Sequence, residues 1–420
     1  MAMDFQGLRV VVIGGGAAGF FSAIACAEAN PHAQVTLLEA SRTSLSKVSI
    51  SGGGRCNVTH ACFEPAALVA NYPRGGKALR GAFTRFQPRD TIAWFTKRGV
   101  RLKTEADGRM FPTTDDSETI VQCLLQSARN AGVALRVGSP VSSVIRKPHG
   151  FQVTLKSGEG LVCDRLLLAT GSSAVGFRLA VELGHTIAEP VPSLFTFTIP
   201  DPALRDLAGV AVDAAQVRLI APNAKPLEQT GPLLITHWGL SGPAVLKLSA
   251  WGARSLHDCR YQATLHINWM PYQTTDAVRA ALLSSKEIYP KRAIANSDPF
   301  GLPRRLWLYL IERANIPADL RLAELSKTHL HHLVQELTRG EYAIAGKGAF
   351  KEEFVTCGGV ALKEVDFKTM ESRQCPGLYL AGEILDIDGV TGGFNFQNAW
   401  TTGWLAGKAM AVPLATPNPL

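Results

Sequence analysis

Leu8-Arg-Val-Val-Val-Ile-Gly-Gly-Gly-Ala-Ala-Gly19 is the stretch that decides the fold. Its β-branched run is that of a strand covered on both faces. Helix-forming residues follow from Phe20 to Ala29 and stop at Asn30-Pro31, and Gln34-Val-Thr-Leu-Leu-Glu39 reads as the next strand. The result is a β-α-β unit carrying Gly14-x-Gly16-x-x-Gly19. The first glycine permits the turn, the second lets backbone approach a pyrophosphate, and the third lets helix pack closely on strand. Ala17 and Ala18 open a helix whose unpaired N–H groups face the phosphates. Glu39, with Ala40 behind it, ends the second strand where a carboxylate accepts hydrogen bonds from ribose hydroxyls. Dinucleotide binding is the expectation.

Outward from this unit, 420 residues exceed one simple core. Residues 115–131 read as a helix, 133–137 and 151–155 as short strands, and Leu161–Leu168 as a strand running into Ala169-Thr-Gly171. From Pro190 the texture turns to short apolar stretches between Pro, Gly and Asn turns. We therefore expect 1–190 as the first part of the binding domain, 191–272 as a β-rich insert and 273–345 as a helical insert. Residues 346–412 would form the second part of the binding domain and 413–420 a tail. The eight cysteines contain no C-x-x-C pair, so no metal site is expected. No apolar run reaches membrane-spanning length, and Leu8–Ile13 reads as a strand and not a signal peptide, so the expected location is cytoplasmic.

Two further motifs carry chemistry. Ser51-Gly-Gly-Gly-Arg-Cys-Asn57 exposes backbone N–H groups at Gly52 and Gly53, suited to a flat ring or a phosphate. Arg55 is expected to pair with a phosphate and Asn57 to bond a ring edge. Near the other end, a strand delivers Gly382-Glu383 and Asp386 to a loop, and Gly392-Gly393-Phe394-Asn395 opens a helix. Such a helix start stabilises the negative charge of a reduced flavin.

Together these segments resemble the HI0933/YhiN-like family of bacterial flavoproteins, as do Gly108-Arg-Met-Phe-Pro112, Leu168-Ala-Thr-Gly171 and Thr236-His-Trp-Gly-Leu-Ser-Gly-Pro243. The resemblance implies an α/β fold. A Rossmann-type FAD domain of glutathione-reductase-like topology is interrupted by a β-barrel-like insert and a small helical insert. It implies non-covalent FAD held by the three glycine motifs with Thr170 and Gly171, and Asp386 at the position that meets the ribityl chain. No second G-x-G-x-x-G unit is present, so NAD(P)H, if used, binds transiently.

The resemblance leaves several activities open. They are reduction of an activated C=C bond in a small enone, reduction of uridine in large-subunit ribosomal RNA, and oxidation of an amine by oxygen. A non-catalytic FAD-bearing RNA-binding protein or sensor is the reading of another class. Residues 71–105 hold nine Lys/Arg against Asp90 and Glu105, interleaved with Tyr72, Phe83, Phe86, Trp94 and Phe95. That combination suits ribosomal RNA, unless the aromatics face the core and the cations face water. His237 and Cys56 are the candidate proton donors.

Overall fold

The computed structural model describes residues 7–348 and 355–413. The chain divides into two compact units, residues 1–190 with 356–420 and residues 191–355.

The first unit is built on β1 (Arg9–Ile13), α1 (Ala17–Ala29) and β2 (Gln34–Leu38). Further along come α2 (Gly76–Phe83), α3 (Pro88–Lys97), β3 (Ala134–Arg136), β4 (Arg165–Leu168), β5 (Leu378–Leu380) and α4 (Phe394–Met410). The parallel strands run in the order β5-β4-β1-β2-β3, and two short antiparallel strands extend the β5 edge. β1 therefore sits at the centre, as its continuous burial from Val10 to Ile13 requires. α1 and α4 lie against each other at close range. A Cβ on Gly403 would meet the Ala18 carbonyl oxygen at 2.8 Å and one on Gly407 the Ser22 oxygen at 2.4 Å. The Ser22 hydroxyl donates to the Gly403 oxygen at 2.8 Å, so the contact is hydrogen-bonded as well as packed.

One expected strand is two. Gly160–Cys163 pairs antiparallel with Gly150–Leu155 in a separate three-stranded sheet, whereas Arg165–Leu168 joins the parallel sheet. The break falls at Asp164, whose carboxylate accepts the Arg9 N–H at 2.8 Å and the Arg9 guanidinium at 2.7 Å.

The second unit has one antiparallel sheet in the order Gly340–Ile344, Ala263–Asn268, Ala211–Ile220, Leu227–Thr236, Gly239–Ser241, Phe197–Thr198, Gly346–Lys347. Its first and last members are consecutive in the chain, separated only by Ala345. Both edges of the sheet thus meet on one run of backbone, which makes it barrel-like. Helices Thr275–Ile288, Arg304–Arg313 and Lys327–Arg339 share its core, where Trp269, Trp307 and Leu337 join Val217 and Leu265. The β-rich and helical parts expected as separate inserts are therefore one unit. Residues 340–347, given to the helical insert and the returning domain, are strand and belong to this sheet. The return lies at Thr356 and not at 346. Among the described residues no helix is long and apolar enough to cross a membrane.

Candidate active site

The Gly14–Gly19 turn, Glu39, Thr170 and Gly382 all stand just beyond the carboxyl ends of parallel strands, where open α/β sheets bind ligands. The G-x-G-x-x-G glycines divide by what surrounds them. Gly14 has φ +113°, and a Cβ there would lie 2.3 Å from the Ala169 oxygen. A Cβ on Gly19 would lie 1.9 Å from the Gly14 oxygen, whereas one on Gly16 meets nothing within 4 Å. Gly14 and Gly19 are glycine because the protein is in the way, whereas Gly16 leaves open space beside its backbone.

Glu39 frames this turn. Its carboxylate accepts from the Gly15 N–H and the Ser41 N–H, each at 2.8 Å, and from the Ser41 hydroxyl at 2.7 Å, which leaves one lone pair for a further donor. Ala40 beside it is exposed. Ala18 contacts the opposite wall, lying 2.8 Å from where a Cβ on Gly382 would stand.

Gly52, Gly53 and Gly54 have φ of +59°, +68° and +81°, which only glycine adopts in succession without strain. Gly53 and Gly54 again face open space. The Ser51 hydroxyl is turned back to the Val48 carbonyl at 2.9 Å. Arg55 is ion-paired with Glu105 at 2.7 Å and Asp115 at 3.5 Å and lies over the Phe111 ring. These contacts tie the glycine loop to the Arg109–Pro112 strand and its flanking acids. Asn57 likewise turns to backbone, donating to the Thr59 carbonyl and accepting from the Gly393 N–H, both at 3.0 Å.

The α4 start closes the cradle. Gly393 is left-handed (φ +90°), and no acid stands in the first turn, so the dipole favours an anionic group. The Asn395 side chain clamps Gly389, accepting from its N–H at 2.8 Å and donating to its carbonyl at 2.9 Å. The Gly382 N–H is held by the Thr402 hydroxyl at 2.9 Å. Glu383 is paired with Lys47 at 2.8 Å and accepts the Thr356 N–H at 3.2 Å. The Asp386 N–H donates to the Val360 carbonyl, leaving its half-buried side chain beside the loop. Thr170 Oγ1 is buried with no hydrogen-bond partner among the described residues, and it packs on Gly176. The adjoining Gly171 is left-handed at φ +58°.

Residues outside the glycine motifs complete this wall. His60 Nδ1 meets the Gly392 carbonyl at 3.0 Å, and its ring stacks on Phe394. The Tyr72 hydroxyl donates to the Phe394 carbonyl at 2.7 Å. Gln397 accepts from Thr59 and Thr91. Only the amides crowding the start of α4 signalled such anchoring in the sequence.

The two candidate proton donors fare differently. Cys56 is fully buried, and burial pushes its thiol up to about 12. None of its surface can touch a substrate, so it is a structural thiol in a left-handed turn (φ +58°). His237 is exposed on the turn between Leu227–Thr236 and Gly239–Ser241, with no hydrogen bond to its ring among the described residues.

In the basic window the aromatics face inward. Tyr72, Phe83, Phe86 and Phe95 are buried, and Trp94 lies between Phe21 and the Arg98 guanidinium. Arg74 pairs with the buried Asp388, Arg98 with Glu28 and Lys103 with Asp115, while Arg85 donates to the Lys368 carbonyl. Lys77, Arg80, Arg89, Lys97 and Arg101 are exposed without an ion-pair partner among the described residues.

The residues fit FAD: open backbone at Gly16, Gly53 and Gly54, a carboxylate at the end of the second strand, an unpartnered Thr170 hydroxyl and an acid-free helix start. The family described as HI0933-like protein Rossmann domain matches residues 8–409. A ribosomal RNA dihydrouridine synthase of Escherichia coli is 32% identical over 405 residues, spanning 94% of this chain and 96% of that protein. A 3-dehydro-bile acid delta(4,6)-reductase of Clostridium scindens is 30% identical over 411 residues, spanning 96% and 99%. In fold, the chain resembles a 3-ketosteroid-delta4-(5alpha)-dehydrogenase from Rhodococcus jostii RHA1 with TM-score 0.52 at 16% identity, covering 98% of this chain and 99% of that one. Cradle and relatives agree, and the chain belongs to the HI0933-like family of FAD-dependent oxidoreductases.

Proposed function

We propose that this enzyme reduces an activated C=C bond, that of uridine in large-subunit ribosomal RNA, with NAD(P)H as the transient source of hydride. The observation that carries the RNA reading is a basic surface tied directly to the flavin cradle. Arg74 holds Asp388, the Asn71 carbonyl accepts the Val390 N–H, and Tyr72 holds Phe394, so the segment bearing the cations is bolted to the loop that leads into α4.

The chemistry a flavin supplies in such a cradle is hydride transfer to an electron-poor alkene carbon. The chain's part is to seat the pyrophosphate at Gly16, hold ribose at Glu39 and present the α4 N-terminus to negative charge. We assign to His237 the proton that the neighbouring carbon must receive. The 30% identity to a bile-acid reductase over nearly equal lengths supports a second reading, a small enone as substrate. Nucleoside analysis of ribosomal RNA from a deletion strain decides between them. Loss of one dihydrouridine from the large subunit is the expected result, and unchanged dihydrouridine would favour the enone.

A further inference from the structure

We infer that the α2–α3 face binds RNA as a folded, base-paired helix rather than as a single strand. This rests on the proposed RNA reading and adds the form of RNA that the face accepts. Single-strand binders combine cations with exposed aromatic rings on which successive bases stack. Here the rings of the window are spent on the core: Tyr72, Phe83, Phe86 and Phe95 are at most 4% exposed, and Trp94 is covered by Arg98. The neighbouring Phe63, half-buried, is covered in the same way by the Arg89 guanidinium, so what this window offers at its surface is charge and not open rings.

That charge is carried on two helices. Lys77 and Arg80 stand three residues apart on α2, and Arg89 and Lys97 stand eight apart on α3, about 12 Å along the axis and on one side of the helix. The single acid on these helices, Asp90, is turned into the α3 cap, where it accepts the Gln87 N–H at 2.8 Å. An A-form duplex presents a fixed phosphate array that proteins recognise by backbone and shape, and cations carried on helices suit such a target. The same helices are anchored to the cradle loop through Arg74–Asp388 and Tyr72–Phe394. A duplex lying across them is therefore held beside the cradle, where an unpaired uridine next to the duplex can enter.

The test is binding of the FAD-loaded protein to a fluorescent RNA hairpin of about 16 base pairs and to an unstructured oligouridylate of equal charge, at 50 and 200 mM salt. The duplex is expected to bind about tenfold tighter. Arg80→Glu/Arg89→Glu/Lys97→Glu should lose most duplex affinity and flatten the log–log salt slope by about 3, near one per phosphate contact. FAD content, read by absorbance, verifies that the variant is folded. Duplex preference that disappears in the variant supports the inference. Tighter binding of oligouridylate overturns it while leaving RNA as the substrate. Binding of neither overturns the RNA reading itself.

Discussion

The Asn57 amide accepts the Gly393 N–H at 3.0 Å, joining the second glycine loop to the residue that caps α4. Two loops more than three hundred residues apart in sequence thereby act as one wall of the cradle. Asn57→Ala would leave the Gly393 N–H and the Thr59 carbonyl without these partners, costing about 1–3 kcal/mol. FAD release, followed by the rise in flavin fluorescence, should become easier in that variant. Asn57→Asp, which keeps the acceptor, should recover part of the loss. Equal FAD retention by Asn57→Ala and the parent would contradict the bridging role.

Gly16 and Gly19 should fail in different ways. Gly16→Leu places a Cβ where no protein atom stands within 4 Å, so the protein should fold with the melting temperature of the FAD-free parent and carry no FAD. Gly19→Ala drives a methyl group into the Gly14 carbonyl and should lose about 1–3 kcal/mol of stability. Stoichiometric FAD in purified Gly16→Leu would overturn the pyrophosphate assignment.

Cys26, Cys56 and Cys163 are each pushed up to about 12 by burial. The unfolded chain releases these protons near the ordinary thiol value of 9.0, whereas the folded chain keeps them. Their stabilising contribution is therefore full below about 9 and falls as pH rises toward 12, by up to about 1.4 kcal/mol per pH unit for each thiol. Urea midpoints at pH 8 and pH 10 measure this, and Cys56→Ala should reduce the difference without changing turnover at pH 8.

His237→Asn should lower kcat by about 100-fold or more with FAD content unchanged, because it removes the donor assigned to the proton-transfer step. The half-reaction with NAD(P)H, which needs no proton on the substrate, should proceed at its parent rate. An unaltered kcat would remove His237 from the mechanism.

A fragment of residues 191–355 should unfold cooperatively and bind no flavin. It has its own core around Trp269 and Trp307, and every cofactor motif lies outside it. Flavin bound by this fragment would refute the division.

What was legible in the sequence was local. β1, α1, β2 and α4 announce themselves through periodicity and glycine spacing, and the Gly16 assignment needs nothing further away than its own turn. What was hidden depends on distant partners. The break at Asp164 exists because Arg9, 155 residues away, reaches its carboxylate. Arg55 reads as a free cation until Glu105 and Asp115 fold against it. Cys56 reads as a candidate proton donor in a glycine loop until its burial is known. Gly340–Ile344 follows the helix Lys327–Arg339 without a break, and its place and that of Gly346–Lys347 are set by Ala263–Asn268 and Phe197–Thr198.

β5 and α4 also impose an order on biogenesis. Both are made after residues 191–355, yet β5 pairs with β4 and α4 lies along α1, elements made long before. At about 5–20 residues per second, the ribosome needs on the order of ten to thirty seconds to make the intervening stretch. The nascent first unit spends that interval with one side of β4 unpaired and the buried face of α1 exposed. The insert, with a core of its own, can fold meanwhile. Cofactor capture is thus a late event, and a chaperone that shields α1 until α4 emerges would be expected to raise the yield of loaded enzyme.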